Sequence, residues 1–107
     1  MELFKNLIYE YKKGMRDLAL YTCAEGDKQD YKNLLELTKT PYCIYELENC
    51  KVNIFLGNPK CLEILSKFSN TNLSKITPEE DFILGIMLGY SREEQYSRIL
   101  GRYPVLS

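Results

Sequence analysis

A chain of 107 residues can bury one modest core and is too short for two. Its formal net charge of −1 provides no basic footprint for a polyanion. The complete absence of histidine removes imidazole acid–base catalysis, Ser-His and Cys-His nucleophile pairs and the commonest metal ligand.

An apolar content of 45% with 27% charged residues fits an ordinary globular protein. The N-terminus is amphipathic and interrupted early by acidic residues, so neither a signal peptide nor a membrane span is expected. One α+β domain over 1–107, located in the cytoplasm, is the expectation.

Phe4, Leu7, Ile8 and Tyr11 fall at i, i+3, i+4 and i+7 ahead of Gly14, which predicts a helix over 2–13. Tyr9 and Lys13 have the Tyr-x-x-x-Lys spacing of short-chain dehydrogenases, but no glycine-rich dinucleotide loop precedes them, so the match reads as chance. Leu18 to Cys23 fits a strand, with a helical continuation from Met15 as the alternative. Asp27 is placed to cap a helix carrying Tyr31, Leu34, Leu35 and Thr38, which Pro41 would end.

Residues 42–56 read as a hairpin. With Asn49-Cys50 as a two-residue turn, Leu47 meets Val52, Tyr45 meets Ile54 and Cys43 meets Leu56 on one apolar face. Cys50 is not the glycine such turns favour, which leaves a longer loop open. Asn58-Pro59 then opens a helix with Cys61, Ile64, Leu65 and Phe68 in its stripe, and 69–75 is a polar loop.

The most apolar stretch runs from Ile76 to Leu100. Thr77-Pro78-Glu79-Glu80 is a capping box, and Phe82, Ile83, Ile86 and Met87 form a stripe on a helix predicted to be buried nearly all round. Gly85 and Gly89 permit close approach of another element. Ser91-Arg92-Glu93-Glu94 opens a last helix with Tyr96, Ile99, Leu100 and Tyr103 at helical spacing. Such a corner invites a helix-turn-helix reading, but Glu93 and Glu94 in the first turn would repel phosphate, so no nucleic-acid partner is expected.

The fold expectation is α+β: a three-stranded antiparallel sheet of order 2-3-1, like a ferredoxin-like sheet lacking its fourth strand, packed with about five helices that end in a helical pair. A sheet so small leaves an edge at Leu18, Leu20 and Thr22 that must be covered or paired, which favours a homodimer. Cys23, Cys43, Cys50 and Cys61 contain no Cys-x-x-Cys pair, so no metal site is expected. Cys61, in the first turn of a helix, and Cys50, at a hairpin tip, are the candidate reactive thiols of an alternative redox reading. Glu79-Glu80 and Glu93-Glu94 are explained by their capping turns, and no catalytic constellation emerges.

Ile8 to Gly14, Arg16, Leu18 and Leu20-Tyr21-Thr22, with Thr77 to Gly85 and Leu88-Gly89-Tyr90, resemble a small bacterial family, domain of unknown function twenty-twenty-three. The similarity covers nearly the whole chain. It implies three strands, five helices and a dimer, and it carries no catalytic residue and no cofactor. Members are often encoded near a flavodoxin, which implies an accessory role in electron transfer or iron-linked metabolism, with tyrosines able to face a flavin partner. The leading expectation is therefore a non-enzymatic cytoplasmic interaction or accessory module.

Overall fold

A computed structural model describes residues 1–102. The elements are α1 (Glu2–Lys12), β1 (Leu18–Ala24), α2 (Lys28–Leu37), β2 (Tyr42–Glu46), β3 (Lys51–Gly57), α3 (Pro59–Ser66), α4 (Pro78–Leu88) and α5 (Arg92–Arg102), with 3-10 turns at Glu25–Asp27 and Leu73–Lys75. This is the predicted element order. The sheet is antiparallel with β3 in the middle, order β1-β3-β2, again as predicted.

Helices cover both faces of that sheet. On one side Phe4 and Ile8 of α1 and Leu35 of α2 bury Ala19, Val52, Ile54 and Leu56. On the other, Cys61 and Leu65 of α3 and Leu84 and Met87 of α4, with Ile76, bury Leu18 and Phe55. Every residue of β3 from Val52 to Gly57 is buried, including Asn53, whose side-chain oxygen accepts from Thr22 Oγ1 at 2.6 Å.

The double cover explains why the predicted hairpin register is off by one residue. Glu46 faces Val52, Ile44 faces Ile54 and Tyr42 faces Leu56. Segregating apolar from polar positions selects a register only where one face meets water. Here the loop selects it: Leu47 N–H donates to Lys51 O at 2.8 Å, leaving Glu48, Asn49 and Cys50 as a three-residue connection. Asn49 and Cys50 take positive φ, 63° and 56°.

Helix ends follow the capping chemistry in most places. Thr77 and Glu80 form the reciprocal capping box, Asn58 accepts from Lys60 N–H, and Ser91 Oγ accepts from Glu94 N–H. Asp27 is an exception; it lies in the preceding 3-10 turn and makes no side-chain cap. Pro41 is another, because α2 already stops at Leu37 with Lys39 in the left-handed region.

Met87 apart, the predicted apolar stripes of α4 and α5 are not their buried faces. On α4 the buried residues are Asp81, Leu84, Gly85 and Met87, while Ile83 and Ile86 are exposed. On α5 only Gln95 is buried; Tyr96 and Leu100 face outward, and Tyr103 lies outside the described residues. A helix apolar all round has no preferred side, so a pattern of spacing cannot choose one. Gly85 chooses it: a Cβ there would sit 1.8 Å from Gln95 Oε1, so glycine leaves the slot that the Gln95 amide fills, and a side chain would displace that amide. Because α5 packs chiefly on α4, the described chain is elongated, 52 × 32 × 24 Å. Its radius of gyration is 14.6 Å, against roughly 13 Å for a compact chain of this length.

Candidate functional site

The two candidate thiols separate sharply. Cys61 is 7% exposed among core residues; burial pushes its thiol pKa up, and the Asp17 carboxylate adds to the rise. Desolvation therefore outweighs the helix N-terminus that was expected to lower it. Cys50 is exposed on the hairpin tip. Burial also raises Cys23, helped by Asp27, and Cys43, against a hydrogen bond from Tyr45 that lowers it. All four sulfurs are free, and among the described residues no three Cys, Asp or Glu side chains are grouped to hold a metal.

Other motifs resolve into structure. Lys13 Nζ lies 5.6 Å from the centre of the Tyr9 ring, so the Tyr-x-x-x-Lys pair is an exposed cation–π contact. Glu80 accepts from Ser69 Oγ and Ser69 N–H, both at 2.6 Å, and from Thr77 N–H at 2.9 Å, which holds its carboxyl below the ordinary range. Tyr31 shares a 3.1 Å hydroxyl contact with Tyr21 beside Phe4; that bond, followed by burial, pushes Tyr31 up to about 12.

At the expected dimer edge the residues differ among themselves. Leu18 is fully buried, Leu20 packs against the α3–α4 core and Thr22 is exposed with its hydroxyl bonded to Asn53. Two open polar depressions also occur: one of about 490 Å³ between the hairpin tip and Asn70–Asn72, and one of about 310 Å³ between α2 and β2.

The feature that spacing did not resolve is the α4–α5 junction. Arg98 Nη2 donates to Asp81 Oδ1 at 2.6 Å, and Arg102 Nη1 lies 3.6 Å from the same oxygen. Arg102 also donates to the Ile76 carbonyl, Gln95 Nε2 donates to the Phe82 carbonyl at 2.6 Å, and Arg98 stacks 4.8 Å from the Tyr90 ring centre. Polar groups thus fill the seam between the helices. Their apolar residues Phe82, Ile83, Ile86, Tyr96, Ile99 and Leu100 belong to neither core cluster. Phe82 and Ile86 are one turn apart on α4, as are Tyr96 and Leu100 on α5. With Gly85 against Gln95 and Leu84 against the sheet, helical geometry turns these four to the side of the hairpin facing away from the sheet. A signal was available in Asp81, Gln95, Arg98 and Arg102: the last three recur at i, i+3 and i+7, a polar stripe at helical spacing with a carboxylate to meet it.

The family model described as "Protein of unknown function (DUF2023)" matches residues 2–102. The chain belongs to that family. The match runs from α1 through the end of α5, so both cores and the hairpin are within the DUF2023 unit. No curated protein matches the chain. Among the described residues, no helix is long and apolar enough to cross a membrane.

Proposed function

We propose that this DUF2023 protein is a non-enzymatic interaction module of the bacterial cytoplasm that works as a homodimer through the outer face of its α4–α5 hairpin. The observation that carries this reading is the apolar surface left outside both cores, with Ile86 59%, Tyr96 52% and Leu100 73% exposed. With Ile83 it amounts to on the order of 500 Å², toward the upper end of what a monomer leaves open. Two such hairpins related by a two-fold axis form a four-helix bundle, a self-complementary way to cover both at once.

Sedimentation equilibrium tests it. A dimer of 2 × 12.5 = 25 kDa is expected, and Ile86→Glu with Leu100→Glu should give a folded monomer of 12.5 kDa. A wild type that stays monomeric up to about 1 mM overturns the reading.

A second reading places the two-fold at β1. Asn58 N–H donates to Asp17 O and Glu25 N–H donates to Cys50 O, so Leu18, Leu20 and Thr22 alternate to turn their main-chain groups away from β3. Dissociation by Thr22→Pro, with the double glutamate variant still dimeric, would select that edge. The family resemblance further supports a flavodoxin as the client of the dimer. Saturable binding to an oxidised flavodoxin, followed by flavin fluorescence, is expected, and no response at ~100 µM would remove that partner.

A further inference from the structure

The sheet has two edges, and they are not equivalent. On β2, Gly57 N–H donates to Pro41 O at 3.0 Å and Leu47 N–H donates to Lys51 O, while Cys43 pairs with Phe55 and Tyr45 with Asn53. Antiparallel ladders bond at every second residue. Pro41, Cys43, Tyr45 and Leu47 therefore turn their main-chain groups to β3, and Tyr42, Ile44 and Glu46 turn theirs outward. No strand or side chain of the described residues pairs with those outward groups. On β1 the first half of the strand is covered, with Leu18 0% and Ala19 1% exposed under α1 and α4.

The open edge is also charged on one side. Lys28, Gln29 and Lys32 of α2 line a groove of about 310 Å³ with Tyr42, Ile44 and Glu46. Lys28 Nζ is 3.7 Å from the Glu46 carboxylate, whereas Lys32, one turn further on, has no ion pair among the described residues. At the far end Glu36 accepts from the Tyr42 hydroxyl at 3.0 Å. A strand laid beside β2 would thus find unpaired donors and acceptors, and its side chains on the α2 face would pass the Lys32 ammonium, which has no carboxylate within ion-pair distance among the described residues.

We propose that the β2 edge is a strand-addition site for an extended segment of a partner protein that sets an acidic side chain over Lys32. Main-chain bonds to Tyr42, Ile44 and Glu46 supply affinity, and the lysine supplies selectivity. This surface is separate from the α4–α5 face, and neither reading depends on the other.

The test uses the full chain and a fluorescent octapeptide alternating Val with Glu, against the same peptide with Lys for Glu. Anisotropy should show the acidic peptide binding at least about tenfold more tightly, and Lys32→Glu should reverse that order. Amide signals of Tyr42, Ile44 and Glu46 should shift on saturation, and Ile44→Pro, which removes one outward N–H, should abolish binding. Lys32→Glu leaving the acidic-peptide affinity within about twofold, unshifted amides at those three residues, or no binding at about 1 mM each overturns the proposal. Because Ile44 touches the core, the Lys32 variant carries the test if the proline variant does not fold.

Discussion

The sheet and the α4–α5 seam are assembled by opposite physics. Around β3 the contacts are mainly apolar, Asn53 and its Thr22 partner apart: Phe4, Leu18, Leu35, Val52, Ile54, Phe55 and Leu56 are fully buried. In the seam, the buried groups are a carboxylate, a primary amide and a glycine, with two guanidiniums closing over them. The hydrophobic effect is non-directional and tolerates small slips, whereas a buried carboxylate requires its donors in place. The first region therefore supplies stability, and the second fixes one orientation of α5 while freeing its apolar residues to point elsewhere.

Breaking each region separately sharpens that contrast. Phe4→Ala removes a fully buried ring that makes edge contacts with Tyr21 and Tyr31, and it should cost about 3–5 kcal/mol in chemical denaturation. The loss should be global, with α5 melting together with the sheet. Asp81→Ala leaves Arg98 and Arg102 without their shared acceptor; since both arginines are about one-third exposed, water screens the loss to about 1–3 kcal/mol. Hydrogen exchange should confine that loss to α5 and the end of α4.

Gly85→Ala drives a methyl into Gln95 Oε1 and should cost about 1–3 kcal/mol. Adding Gln95→Ala should recover much of it, a coupling that a simple change in helix propensity would not produce.

The smallest effect expected is at the Glu80 box, which ties the start of α4 to Ser69. Its native pKa lies below the ordinary value of 4.5, so the folded state favours the carboxylate. That contribution is fully present above pH 4.5 and is lost as pH falls through the lowered native value. Glu80→Gln should lower Tm slightly at neutral pH, with the difference from wild type closing as pH falls through the lowered native value. Thiol titration adds a further check: Cys50 should react fast, and Cys61 only when the α3 core opens.

Much of the apolar region was legible in the sequence, because period-2 and period-3.6 patterns report which residues meet a core. Element order, sheet order, the Thr77 and Asn58 caps and the α1 face, with Phe4 and Ile8 buried, all follow from such patterns. The hairpin register does not. Ile44 and Ile54 sit under one helical layer while Cys43 and Phe55 sit under the other, so both faces read as apolar and alternation loses its meaning. The hairpin of α4 and α5 reads wrongly for a related reason. Tyr96 and Leu100 look like a core stripe because spacing cannot distinguish a face buried by its own chain from one left open. What decides it is tertiary: the slot at Gly85 and the charge on Asp81 draw Gln95, Arg98 and Arg102 inward.

Native-state hydrogen exchange followed across protein concentration tests the contrast most directly. At low concentration the α5 amides should open at a free energy well below those of β3, since polar contacts to α4 are its main attachment. As concentration rises, α5 and the outer turns of α4 should gain protection as a second copy covers Ile86, Tyr96 and Leu100, while β3 stays unchanged. Protection of α5 equal to that of β3 at every concentration would contradict both the division into two regions and the surface assigned to the second.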